Sequence, residues 1–309
     1  MTARTVQIDA LEPVQRVIAL GAFDGVHLGH CGLIDRAAEL ARERGVRSSV
    51  ATFDPLPLEL LHPEAAPRRL SGVERRAELI AERDVDELIV IPFTVELSRL
   101  SPEAFVRQVL AEAAHAVHVV VGQDYRFGSH ASGEAATLSA LGEQHGFGVT
   151  TVSLITVDGE RVSSSWIREL VRQGEVERAA RLLGRDPWLE GYVERGFARG
   201  QELGVPTANL AWPRGRVVPG NGIYAGYASV GARAERYRAA ISVGRNPTFD
   251  DVEGTVVEAH LIDVSGDIYD EPMRVDFTRF LRHELAFESI DELVTQMWDD
   301  IAQARALPL

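Results

Sequence analysis

The feature that most limits how this chain can fold is a change of texture past its midpoint. From Arg16 onward, short apolar runs alternate with stretches of helical spacing, beginning with Val17–Leu20 (V-I-A-L) and then Leu33–Arg44. Val46–Phe53, Glu87–Pro92, Val117–Gly122 and Val149–Ile155 read as further buried strands, with helices near Gly72–Glu82, Pro102–Ala114 and Gly133–Gln144 between them. Strands alternating with helices predict an α/β fold, a parallel, doubly wound sheet with helices on both faces. Two short helical patterns follow, one opening at Ser164 and one over Glu175–Leu183, stopped by Gly184 and Pro187. From Trp188 the pattern becomes short strands separated by Gly, Pro and Asn turns: Leu189–Glu194, Gly222–Val230, Tyr237–Val243, Val256–Val264 and Met273–Leu281. That texture predicts a small antiparallel barrel. A last amphipathic helix, Ser289–Arg305, with Ile290, Leu293, Met297 and Ile301 on one stripe, is expected to pack against it. The expected domains are 1–185 and 186–309.

Composition narrows the function classes. A net charge of -14 would repel a polyanion, so nucleic acid is not an expected partner. The most apolar stretch, Leu88–Phe93, is far shorter than a bilayer-spanning helix, and no membrane association is expected. The single cysteine, Cys31, forms no intrachain disulfide and reads as a small buried hydrophobe in a reducing, cytoplasmic setting. All 32 basic side chains are arginine, which rules out a Walker A phosphate loop, since that loop requires lysine.

Gly21–His30 reads G-A-F-D-G-V-H-L-G-H, after an apolar strand and before a helix. Glycines there let the backbone approach a phosphate, and the helix offers unpaired N–H groups and a positive dipole end. His27 and His30 are spaced to face one ligand and donate to a pentacoordinate phosphate; taken alone, the same turn serves equally as a structural cap. Val162–Arg168 (V-S-S-S-W-I-R) is by itself an ordinary N-cap. Gly122–Gly128 (G-Q-D-Y-R-F-G) sits at a strand end, where open α/β sheets place ligands.

These segments together resemble the FMN adenylyltransferase half of prokaryotic bifunctional riboflavin kinase/FAD synthetases, whose signatures are G-x-F-D-G-x-H-x-G-H, I-S-S-T-x-I-R and G-x-D-F-R-F-G. The resemblance implies that Gly21, Phe23, Asp24, Gly29, Ser164 and Ser165 bind ATP phosphates. His27, His30 and Arg168 would act in catalysis, and Asp124 and Phe127 would bind flavin. In Phe53–Pro57 (F-D-P-L-P), Leu56 stands where that family has His.

The second half extends the likeness. Gly191–Asn209 ends in P-T-A-N, a Pro turn able to point one hydroxyl and one amide oxygen at a hard cation. Val256–Asp263 (V-V-E-A-H-L-I-D) alternates as a strand, with Val257, Ala259 and Leu261 on one face and Glu258 on the other. The stretches resemble the riboflavin kinase signatures. By that resemblance Thr207 and Asn209 ligate the Mg²⁺ of ATP, Gly196 and Gly200 form a flap over the nucleotide, and Glu258 is the general base. Gln201 and Ala286 replace an Arg and a Lys of that family. The matches run in one order from about Val17 to about Ala304 and imply an N-terminal Rossmann-like nucleotidyltransferase domain followed by a β-barrel kinase domain. The implied activity is phosphorylation of riboflavin to FMN and adenylylation of FMN to FAD, with Mg²⁺ and ATP. A riboflavin kinase with an impaired adenylyltransferase half, or a flavin binder without turnover, stays open on sequence, as does oligomeric state.

Overall fold

The structure is a computed structural model and describes residues 4–195, 203–231, 235–245, 254–264 and 266–308. It divides into two compact units, Met1–Ser164 and Ser165–Leu309.

In the first unit the strands are β1 (Arg4–Gln7), β2 (Arg16–Leu20), β3 (Arg47–Asp54), β4 (Glu87–Pro92) and β5 (Ala116–Gly122). Two short hairpins follow, β6 (Arg126–Phe127) with β7 (Gly133–Glu134) and β9 (Thr156–Val157) with β10 (Glu160–Arg161), on either side of β8 (Gly148–Val152). The main sheet runs β1-β4-β3-β2-β5-β8 and is parallel throughout. Burial explains why its strands read as continuous apolar runs: β2 is buried at every position, as is most of β4. Sequence periodicity missed β1, whose four residues lie mostly exposed at the sheet edge and carry no apolar run. The helix Leu28–Arg44 begins five residues earlier than its apolar pattern, which places Gly29, His30 and Cys31 in its first turn. Cys31 is only half-buried, with its Sγ 3.7 Å from the Val26 carbonyl oxygen. The expected helix over Pro102–Ala114 is present but changes to a π-helix over Val106–Ala113.

The second unit begins with the helices Ser164–Arg172, one residue of which belongs to the first unit, and Val176–Leu183. Its strands β11 (Trp188–Glu194), β12 (Ala208–Ala211), β13 (Gly222–Val230), β14 (Glu235–Arg245), β15 (Thr255–Leu261) and β16 (Pro272–Arg282) close into an antiparallel barrel ordered β11-β12-β15-β14-β13-β16. Leu189, Val193, Ile241, Val243, Val257, Ala259, Val275 and Phe277 fill it. The C-terminal helix, Ile290–Arg305, is N-capped by Ser289, whose side chain accepts from the Glu292 N–H, and it packs on β13 and β14 outside the barrel. Strand β12 was not expected: four residues are too few for a periodic signal, and P-T-A-N reads as a turn. In the structure only Pro206 and Thr207 precede the strand, and Asn209 lies within it.

Candidate active sites

The order of the main sheet reverses at β2: the chain lays β3 and β4 to one side, then β5 and β8 to the other. A cavity of about 390 Å³ opens at the carboxyl ends of β2 and β5, the switch point where open α/β sheets bind ligands. Gly21, Phe23 and His27 line it from the loop after β2, Gly29 and His30 from the first turn of the helix that follows, Gly122 and Asp124 from the end of β5, and Ser164 from the end of the unit.

That loop is bent into an uncommon backbone. Phe23 has φ 49° and Val26, a β-branched residue, has φ 40°, both in the left-handed region that such residues avoid. Asp24 supplies the compensation. Its carboxylate is buried and accepts from the Leu70 N–H (3.0 Å), the Ser71 N–H (2.9 Å) and the Ser71 hydroxyl (3.2 Å), while the Gly25 N–H donates to Ser71 Oγ at 2.8 Å. The Ser164 hydroxyl donates to the Asp24 carbonyl oxygen at 3.0 Å.

His27 is the N-cap of Leu28–Arg44, and its Nδ1 accepts from the His30 N–H at 3.2 Å. An accepting Nδ1 leaves the ring proton on Nε2 when the ring is neutral. The His27 and His30 rings stack with centroids 3.6 Å apart and 11° between planes. A Cβ on Gly29 would come within 3.1 Å of the His27 ring, close enough that the ring would have to give by a few tenths of an ångström. Of the expected residues, Gly21, Phe23, His27, Gly29, His30, Asp124 and Ser164 line this cavity, and Asp24 holds the loop from behind its wall. Ser165 and Arg168 lie on the helix that starts at Ser164, within the second unit. Asp124 is ion-paired with Arg161 at 2.6 Å, and Arg161 also lines the cavity.

A second cavity, about 710 Å³, adjoins the first and shares Phe53, Pro57, Tyr125 and Arg126 with it. Phe127 lines this one, with Phe93, Leu97, Phe105 and the half-exposed Leu58 and Leu61. Its aromatics touch in a chain: Phe53 against Phe93 at 5.7 Å, Phe105 against Phe127 at 5.7 Å, Tyr125 stacked on Phe127 at 5.8 Å. Burial pushes the Tyr125 phenol above the usual tyrosine range and keeps it protonated. Sequence reasoning missed Phe93, just past β4, and Leu58, Leu61 and Leu97, which lie on the helices Pro57–Leu61 and Val95–Ser98; those helices are too short to show a periodic apolar stripe. Leu56 is buried and lines neither cavity. Its N–H donates to Glu59 Oε2 at 2.8 Å, and Arg69 ties Glu59 to Asp54 at the end of β3, which fixes the wall carrying Pro57 and Leu58.

In the barrel unit the site lies on the outer face. Residues directly opposed on neighbouring antiparallel strands share a face. One such row reads Asn209, Glu258, Ser242, Ile223 and Arg282 across β12, β15, β14, β13 and β16. It stands opposite the core face occupied by Val257 and Ala259. The Thr207 hydroxyl donates to Glu258 Oε2 at 2.9 Å. His260 Nδ1 lies 2.8 Å from the Pro206 carbonyl oxygen, an acceptor only, so Nδ1 carries the proton. Thr207, Ser242, Glu258 and His260 line a cavity of about 260 Å³ roofed by Leu293, Met297 and Ile301 of the C-terminal helix. Asn209 sits beside Glu258 in register but outside that lining. Gly196, Gly200 and Gln201 lie outside the described residues.

Among the described residues no three or more His, Cys, Asp or Glu side chains are grouped to hold a metal. Thr207 and Asn209 offer a hydroxyl and an amide oxygen, hard donors suited to a cation that keeps waters and takes its remaining ligands from phosphates.

Comparison with known proteins agrees with this two-unit layout. The FAD synthetase family model matches residues 10–166 and the riboflavin kinase family model residues 183–307. The bifunctional riboflavin kinase/FMN adenylyltransferase of Listeria monocytogenes is 35% identical over 299 residues, spanning 96% of this chain and 94% of that protein. The protein of the same description from Pseudomonas fluorescens is 36% identical, spanning 96% and 95%. A crystal structure from Streptococcus pneumoniae, described as a macrolide-efflux protein, has a TM-score of 0.88 at 29% identity over 98% of this chain and 99% of its own. That description names efflux, whereas no described helix here is long and apolar enough to cross a membrane. Relatives that match from end to end, each half with its own family model, place the chain in the bifunctional riboflavin kinase/FMN adenylyltransferase family.

Proposed function

We propose that this chain phosphorylates riboflavin to FMN in its barrel and adenylylates FMN to FAD on its parallel sheet, each step using ATP, in the cytoplasm. Residues 1–185 serve the adenylyl step and 186–309 the kinase step. The observation that carries the reading is the Thr207–Glu258 contact at 2.9 Å on the outer row of the barrel, facing a cavity.

The riboflavin 5′-hydroxyl is a weak nucleophile at neutral pH and needs a base as it attacks the γ-phosphorus. Glu258 takes that proton as the new P–O bond forms and ADP departs; the Thr207 hydroxyl orients the receiving carboxylate. Thr207 and Asn209 would hold Mg²⁺, which when bound neutralises charge on the ATP phosphates. Phosphoryl transfer of this kind depends on positioning and charge neutralisation more than on covalent help from the protein.

In the sheet unit an FMN phosphate oxygen attacks the α-phosphorus of ATP and pyrophosphate leaves. A phosphate dianion is already nucleophilic, so no base is required and the barrier is electrostatic. His27 and His30 donate to the phosphates from the helix end, Phe23 lines the pocket, Gly21 and Gly29 leave room in it, and Ser164 adds its hydroxyl. Asp24 acts by fixing the loop. Asp124 and Phe127 stand on the flavin side, Phe127 in the aromatic cavity adjoining the phosphate pocket.

The test is a chromatographic assay of purified protein with Mg²⁺, ATP and either riboflavin or FMN. FAD from both substrates is the expected result. FMN alone from riboflavin, with FMN left unconverted, overturns the adenylyl half; unchanged riboflavin overturns the kinase half.

A further inference from the structure

On the kinase reading above, the outer row raises a question that Glu258 and Thr207 do not answer. Its far end, Arg282 on β16, lies three strands from Glu258, roughly 14 Å at the usual strand spacing. Arg282 does not present a free guanidinium to the cavity. Its Nε lies 3.1 and 3.2 Å from the two carboxylate oxygens of Asp300, one terminal nitrogen donates to Asp300 at 2.7 Å, and the other donates to the His283 carbonyl oxygen at 3.0 Å. Asp300 belongs to the C-terminal helix, is only 3% exposed, and accepts a further bond from Gln296 at 3.1 Å. The same helix carries Leu293, Met297 and Ile301, the apolar roof of the cavity.

Burying an ion pair is a poor way to gain stability, because desolvation offsets most of the attraction. What a fork-to-carboxylate pair does supply is geometry: two parallel N–H···O contacts fix distance and angle together, which apolar packing leaves free to slide. We propose that Asp300, through Arg282, is a positioning residue for riboflavin. The pair sets the height and register of the helix over the outer row, and so the slot in which a flat flavin ring lies with its 5′-hydroxyl at Glu258. Neither side chain takes part in proton or phosphoryl transfer.

The experiment compares the full-length wild-type chain with Asp300→Asn and with the double variant Arg282→Met/Asp300→Leu, which removes both charges. Initial rates of FMN formation are measured against riboflavin and against ATP, with FMN-to-FAD conversion and chemical denaturation on the same samples. Asp300→Asn is expected to raise KM for riboflavin about tenfold, the mark of binding lost equally from the ground and transition states. KM for ATP, kcat at saturating riboflavin and FAD formation from FMN stay near wild type. Should Asp300→Asn unfold the barrel, the double variant decides: it is expected to recover the denaturation midpoint and still show the raised riboflavin KM. Wild-type riboflavin KM in either folded variant overturns the proposal, as does a fall in kcat with KM unchanged. A wild-type chain that leaves riboflavin unphosphorylated overturns the kinase reading itself, and the positioning role with it.

Discussion

The two units place their polar groups differently. In the sheet unit the site is at strand ends, and the carboxylates near it are spent: Asp24 on the Leu70 and Ser71 amides, Asp124 on Arg161. What faces the first cavity is a pair of stacked imidazoles over a helix end. In the barrel the site is at mid-strand, and Glu258 accepts from the Thr207 hydroxyl rather than from an arginine. On the proposed roles, the difference follows the nucleophiles. A hydroxyl must lose a proton and needs a carboxylate ready to receive it; a phosphate has none to lose and is served by donors.

The sharpest way to break this contrast is to exchange the defects. Glu258→Gln is expected to cut FMN formation by roughly 10² to 10⁴-fold while FMN-to-FAD conversion persists. His27→Ala/His30→Ala is expected to do the reverse, lowering FAD formation from FMN by about 10² to 10³-fold with riboflavin phosphorylation intact. Equal loss of both activities in either variant, read by chromatography, contradicts the division.

A smaller effect tests whether the loop of the sheet unit depends on its backbone. Gly25 has φ 82°, and a Cβ there would meet Leu70 Cδ1 at 2.8 Å. Gly25→Ala should destabilise this unit by about 1–3 kcal/mol, seen as an earlier urea transition, and slow adenylylation while leaving the kinase rate unchanged. A variant with wild-type stability and FAD formation would show that the strained loop is not needed.

The smallest expected effect is a pH slope. His118, on β5, has its pKa lowered below the ordinary histidine range by burial and then by the charges of Arg44 and Arg36. The unfolded chain therefore binds this proton first as pH falls through about 6.5, and folding stability drops from there down to the folded-state pKa, below which both states carry the proton and the slope vanishes. His118→Gln should flatten the dependence by at most about 1.4 kcal/mol per pH unit between pH 7.5 and 5.5 in denaturant titrations. An unchanged slope would mean that His118 titrates alike in both states.

Much of this was legible in the sequence, for a physical reason. Buried strands such as Glu87–Pro92 and Gly222–Val230 announce themselves because burial demands apolar residues at a strand's period. The histidine pair was legible because both members stand three residues apart in the chain, at the start of one helix. Contacts made by folding alone were hidden. Asp24 reads as a ligand in its motif, yet its carboxylate meets backbone groups 46 and 47 residues away. The Arg282–Asp300 tie and the aromatic cavity left no local pattern, since their members come from separate elements. Asn209 reads as a turn residue, and only the register beside Glu258 shows it to be part of a strand.

The central claim is that one chain holds two complete and separable active sites, and mixing the two defective proteins tests it most directly. Given riboflavin, ATP and Mg²⁺, Glu258→Gln alone and His27→Ala/His30→Ala alone should each fail to make FAD, while an equimolar mixture makes it through FMN released by one and captured by the other. A mixture that accumulates FMN without FAD, although Glu258→Gln protein converts added FMN, contradicts free exchange between independent sites. Glu258→Gln protein that cannot convert FMN at all contradicts the two-site account itself.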